Sequence, residues 1–139
     1  MLQPKRTRYR KHHKPSTKSP VSNTPKMVFG DYGIQAVEPG CISARHLEAV
    51  RRVCTRLCRR QGKIWLRLYP DWVVTRKSAE SRMGKGKGAP AFWVAPVAAG
   101  GMILEMSGMP LETAKAAARM ANYKLPVATR FVTRSGVAG

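Results

Sequence analysis

The chain has 139 residues, 26 of them Lys or Arg against 7 Asp or Glu, which gives a formal charge of +19 and a pI near 11.0. Such an excess destabilises a free compact monomer by self-repulsion, so a polyanion is the expected partner. Hydrophobic residues make up 43%, too many for a wholly disordered basic tail; no stretch approaches the ~18 apolar residues of a spanning helix, so nucleic acid is a better partner than membrane.

Residues 1–26 carry eight Lys or Arg, four Pro and no acid. They cannot build a core and read as an extended, RNA-penetrating arm, although composition alone fits an organelle transit peptide equally well. No apolar h-region of a secretory signal is present. From Met27 to Val37, apolar residues interrupted by Gly30 and Gly33 predict a short or bulged strand ended by Glu38-Pro39-Gly40.

Ser43 predicts the cap of a helix running to about Gln61, with Gly62 in the left-handed position that follows. Leu47, Val50, Cys54, Leu57 and Cys58 form its apolar stripe. Arg45, Arg51, Arg52, Arg56, Arg59 and Arg60 occupy the other side with only Glu48 among them, which predicts unpaired guanidinium groups facing phosphates. Cys41, Cys54 and Cys58 are an odd set and read as buried thiols in a reducing compartment. His46 is the nearest imidazole and His12 and His13 are remote, so no metal site is expected.

Alternation over Lys63–Tyr69 predicts a strand with Ile64, Leu66 and Leu68 buried, stopped at Pro70-Asp71, and Val73–Arg76 a short partner strand. Residues 77–90 lack a hydrophobic period and predict a mobile loop. Ala91–Val97 and Met102–Met106, separated by Ala-Gly-Gly, predict a hairpin. A second helix starts at Pro110 and runs to about Tyr123, with Leu111, Ala114, Ala118 and Ala121 on one side. Val127–Thr133 then closes the sheet, and residues 136–139 form a frayed tail. The whole is a single α+β domain: two helices packed on short, mostly antiparallel strands.

Within the loop, Ser81-Arg82-Met83-Gly84-Lys85-Gly86-Lys87-Gly88 alternates glycine with lysine, so the backbone can approach a phosphate chain while ammonium groups supply charge. The spacing is not that of a nucleotide-triphosphate loop, since Gly88 follows Lys87 where a hydroxyl is required. Asp71 and Glu80 are the only carboxylates near this loop, and no His lies beside them, so no catalytic pair and no cofactor are expected. A free DNA-binding protein would need dimerisation and groove-reading motifs that the chain lacks. Trp65, Tyr69, Trp72 and Trp93 are candidate stacking surfaces for bases, although most of them fit the core better.

The start Met1-Leu2-Gln3-Pro4-Lys5-Arg6-Thr7, the block Gln61-Gly62-Lys63-Ile64-Trp65, the loop Arg82–Gly88, Trp93-Val94-Ala95 and Lys124-Leu125-Pro126 fall in one register. Together they resemble the bacterial-type large-subunit ribosomal protein sixteen family along nearly the whole chain. That resemblance implies a hammerhead-like domain near the base of the central protuberance. Its partners would be large-subunit rRNA, tRNA and neighbouring ribosomal proteins, without homo-oligomers. It makes Lys5, Arg6, Arg8, Arg10, Lys11, His12, His13 and Lys14 an rRNA-binding arm retained in the mature protein. It also turns Arg76, Lys77 and the stretch Arg82, Met83, Gly84, Lys85, Gly86, Lys87 and Gly88 toward the tRNA sites and the peptidyl transferase centre. The chain departs from the family at Pro15–Pro25, at Trp72 and at Ala98-Ala99-Gly100-Gly101. These departures and the cysteines favour an organelle ribosome, mitochondrial or plastid, over a bacterial one.

Overall fold

In a computed structural model, which describes residues 2–17 and 26–134, the elements run β1 (Tyr32–Ala36), β2 (Gly40–Ser43), α1 (Ala44–Leu57), β3 (Lys63–Leu66), β4 (Trp72–Arg76), β5 (Ala89–Val97), β6 (Met102–Ser107), α2 (Leu111–Lys124) and β7 (Thr129–Thr133). All pairings are antiparallel, in a four-stranded sheet of order β3-β6-β1-β7 and a three-stranded sheet of order β2-β5-β4. The fold is α+β, as the sequence predicts. The expected tail at 136–139, and part of the expected arm at 18–25, lie outside the described residues.

The core lies between α1, α2 and the four-stranded sheet. Leu47, Val50 and Cys54 of α1 are fully buried, and Ala114, Ala117, Ala118 and Ala121 of α2 present small side chains that let the two helices approach closely. Ser43 caps α1 by accepting the His46 backbone N–H at 3.3 Å. Leu111, expected on the buried side of α2, is instead 40% exposed. Cys54 and Cys58 are buried as expected, and burial pushes the Cys54 thiol up to about 12, which keeps it protonated. Cys41, expected to be buried, is exposed, because alternation along β2 turns Ile42 into the core and Cys41 to the opposite face.

The strand pairing corrects three expectations. β5 and β6 do not form a hairpin: residues 98–101 carry the chain from one sheet to the other, and Gly100 N–H and Gly101 C=O bond Ala36 at 2.8 Å each. Both edges of β5 are already used, by β2 at Val94–Val97 and by β4 at Ala89–Val94. β4 therefore belongs with β5 and not with β3. Finally, the strand expected from Met27 begins only at Tyr32, because the N–H groups of Val28 and Phe29 are directed to a carboxylate.

That carboxylate is Glu105, in the middle of β6 and wholly buried. Its oxygens accept from Val28 N–H at 2.8 Å, Phe29 N–H at 2.9 Å and Arg67 Nη1 at 3.0 Å. Phe29 in turn stacks on Trp65 at 5.9 Å, and the Arg67 guanidinium lies 5.7 Å over the Phe29 ring. Removing Glu105 leaves the largely buried Arg67 guanidinium without its partner. Glu105→Ala is expected to lower the unfolding free energy by about 3–5 kcal/mol, and Glu105→Gln, which keeps one acceptor, by about 1–3 kcal/mol. Urea unfolding of both variants measures the difference, and equal losses would mean that the charge contributes nothing.

Candidate nucleic-acid interface

α1 ends sooner than the glycine at 62 predicts. Arg59 and Arg60 themselves adopt left-handed backbone, with φ of 51° and 62°. Arg60 N–H bonds Thr55 C=O at 3.4 Å and Arg59 N–H bonds Arg56 C=O at 3.2 Å, the paired closure of a Schellman motif with arginine where glycine is usual. Gly62 is also left-handed, at φ 79°, and packs against Gly108 where two backbones cross. Arg59 and Arg60 thus leave the helical face on which they were expected and curl beside it. With Arg51, Arg52, Thr55 and Arg56 they line an open groove of about 520 Å³.

The expectation of unpaired arginines holds for only part of this groove. Glu48 binds Arg51 through both carboxylate oxygens, at 2.6 and 3.0 Å, and Arg52 at 3.2 Å. Hydrogen bonding from Arg51, the largest influence, lowers the Glu48 carboxyl to about 2; burial opposes it, and Arg52 and the charges of both guanidinium groups add to the lowering. Glu48 is therefore ionised at neutral pH and holds two guanidinium groups in place. Arg56, Arg59 and Arg60 make no ion pair among the described residues. Arg45 lies apart from the groove, near Arg76.

The glycine loop is the tip of the β4–β5 hairpin, in register from Trp72↔Val94 to Arg76↔Ala89. Gly84, Lys85 and Gly86 are consecutively left-handed, at φ 96°, 61° and 93°, and Lys77 Nζ donates to Gly84 C=O at 2.6 Å. Arg82, Met83, Lys85 and Lys87 are exposed, and Met83 at 96% has almost no cover from its own chain. Gly88 returns beside Arg76 at the base of the loop.

The arm runs along β4, an edge strand. Tyr69 Oη donates to Gln3 C=O at 2.7 Å, Trp72 Nε1 to His13 C=O at 2.7 Å, and Val73 N–H to His12 Nδ1 at 3.3 Å. The His12 ring meets Trp72 at 4.9 Å. Lys87 Nζ donates to His12 C=O and Lys11 Nζ to Lys87 C=O, so the arm also grips the loop. Lys5, Arg6, Arg8, Arg10, His13 and Lys14 point outward, with Arg8 5.5 Å over the Tyr9 ring. Trp65 and Trp72 are engaged within the chain by Phe29 and by the arm. The acid in the apolar run Met102–Met106 was the one sequence signal that Arg67 is an internal partner.

The ribosomal protein L16p/L10e family matches residues 4–132, a span that contains most of the arm, the arginine groove and the glycine–lysine hairpin tip. The chain belongs to this family. Large ribosomal subunit protein uL16c of Pleurastrum terricola is 50% identical over 97% of both chains, and that of Porphyra purpurea 46% over 99% of both. Large ribosomal subunit protein uL16 of Rhodospirillum centenum is 48% identical over the whole of this chain and 99% of its own. Membership of the L16p/L10e family makes this a structural ribosomal protein and not an enzyme. The chloroplast-type relatives favour an organelle ribosome over a bacterial one.

Two outcomes follow from the geometry. Left-handed backbone costs a non-glycine residue about 1–2 kcal/mol, partly offset in glycine by lost chain entropy. Arg59→Gly is therefore expected to raise the unfolding free energy by about 0.5–1 kcal/mol, whereas Arg59→Ala, which keeps the strain, should not. Urea midpoints of the two variants test this. Trp72→Phe removes one arm contact worth about 1 kcal/mol, so limited trypsin should cut between Arg8 and Lys14 about fivefold faster; an unchanged rate would mean that the arm does not depend on it.

Proposed function

We propose that the protein is a structural constituent of the large ribosomal subunit that holds large-subunit rRNA through dispersed Arg and Lys and catalyses no reaction. The observation that carries this is the groove of Arg51, Arg52, Arg56, Arg59 and Arg60. Two of its residues sit in strained backbone, no carboxylate lines it, and among the described residues only Glu48 pairs with any of its arginines. A protein does not gain stability from that arrangement alone, since five like charges repel and left-handed arginine is costly. Packed phosphates would offset both.

In this reading residues 1–26 are the rRNA-binding arm, residues 27–135 the domain and 136–139 a tail. Lys5, Arg6, Arg8, Arg10, Lys11, His12, His13 and Lys14 contact rRNA from the arm, and Arg45, apart from the groove, contacts it from the start of α1. The loop from Arg76 and Lys77 through Arg82–Gly88 faces tRNA. The family resemblance supports a place near the base of the central protuberance, with the loop directed to the tRNA sites and the peptidyl transferase centre and with other large-subunit proteins as neighbours. The uL16c relatives support an organelle setting. The exposed, self-braced loop supports presentation to a partner, because its lysines are spaced by residues that let a phosphate backbone approach.

Sedimentation of tagged protein from a cell or organelle lysate tests the role. Co-migration with the large subunit at moderate salt is the expected result; migration at the top of the gradient, free of rRNA, would remove the proposal. Six to ten phosphate contacts would lose on the order of 10³–10⁵ in affinity between ~50 and ~200 mM salt. Replacing Arg56, Arg59 and Arg60 by Ala should lower the slope of log affinity against log salt by about 2–3, and an unchanged slope would clear the groove of phosphate contacts.

A further inference from the structure

Arg45, at the start of α1, and Arg76, at the end of β4, line the same cavity. It has a volume of about 490 Å³ and is lined by Arg45, His46, Arg76, Phe92 and Trp93, with Leu2 and Gln3 of the arm on one side. That volume falls within the roughly 300–1,000 Å³ of small-molecule sites. No carboxylate lines it, and neither arginine makes an ion pair among the described residues.

The walls differ in chemistry. On β5, Phe92 is half-buried and carries the Arg76 guanidinium 5.7 Å above its ring, an open-ended stack of a cation on an aromatic face. On α1, Ser43 Oγ accepts the His46 backbone N–H and lies 3.1 Å from His46 Nδ1. These two contacts hold the imidazole against the helix cap. Arg45 stands next to His46. The arm closes one side, with Gln3 held by Tyr69.

We propose that this cavity takes a single unstacked ribonucleotide, its base continuing the Arg76–Phe92 stack and its phosphate meeting Arg45. Sequence-specific RNA recognition uses splayed bases stacked on aromatic rings or guanidinium planes, and the site supplies both together. A bare phosphate would leave the Phe92 wall unused, and an apolar ligand would leave two guanidinium groups without a counter-charge. The inference rests on the RNA-binding role proposed above and adds a base-binding pocket to it. The nucleotide belongs either to rRNA or to tRNA.

Titration of the full chain with AMP and with ribose 5-phosphate, followed by NMR, tests the pocket. AMP is expected to shift His46, Phe92 and Trp93 saturably and to bind at least about tenfold more tightly than ribose 5-phosphate, within what base stacking on an aromatic contributes. Phe92→Leu, which keeps an apolar strand residue, should collapse that ratio toward one while leaving phosphate binding in place. Arg45→Gln should weaken both ligands together. Equal binding of the two ligands by the unaltered chain, or shifts confined to the groove at 51–60, would overturn the proposal.

In assembled large subunits carrying Arg45→Gln and Arg76→Gln, one base should gain reactivity to dimethyl sulfate or carbodiimide. Its position in rRNA or in tRNA names the source. No change in either RNA would overturn the assignment. Co-sedimentation of the unaltered chain is scored separately: if it persists while AMP shows no preference, the pocket fails and the ribosomal role stands, whereas its loss removes both.

Discussion

The buried carboxylate of Glu105 is the constraint on which the rest of the architecture depends. It sits in the central part of the four-stranded sheet, opposite Gly33 of β1 and Trp65 of β3. A carboxyl group shut away from solvent must be satisfied where it is, and Glu105 is met by one guanidinium and two backbone N–H groups. Those donors come from two places in the chain, the segment before β1 and the segment after β3, and β6 supplies the acceptor. One side chain therefore fixes where residues 26–31 enter the domain. Lys26 C=O, held by Arg67, and Val28 C=O, held by Arg134, complete the anchorage.

The second organising fact is the surplus of positive charge, and the fold treats it unevenly. Arg67 is drawn inside and neutralised, while Arg51 and Arg52 are positioned by Glu48. Arg59 and Arg60 are held outward at a cost in backbone strain. A C-terminal glycine at position 59 would end α1 more cheaply and would remove a guanidinium from the groove. Under the phosphate-binding role proposed for the groove, function and stability pull in opposite directions at that residue.

The arm and the hairpin loop form one mechanical unit. β4 is an edge strand, and an uncovered edge invites unwanted pairing. Here the arm covers it, with contacts at Gln3, His12 and His13 that also reach Lys87. Trp72 has its indole N–H committed to that contact, which gives it a structural role. The loop tip is exposed while its base is braced by Lys77 and by the arm, a geometry that fixes direction and leaves the contacting groups free.

By itself the sequence determined what depends on local chemistry. The two helices, the Ser43 cap, the apolar stripe of α1, the glycine–lysine loop and the demand for a polyanion all follow from periodicity, capping residues and charge, which act within a few residues of one another. The family was legible from five blocks in register. Tertiary structure alone decided which strands pair, because β4, β5 and β6 are each apolar enough for several partners and the choice is set by burial and hydrogen-bond satisfaction summed over the whole sheet. It decided that the strand expected from Met27 gives up its first turn of N–H groups to Glu105, and that Arg59, ahead of Gly62, ends α1. It also decided that Arg45 and Arg76, separated by thirty-one positions in the chain, share one cavity. Such convergence depends on how sheets and helices stack, and no spacing along the chain encodes it.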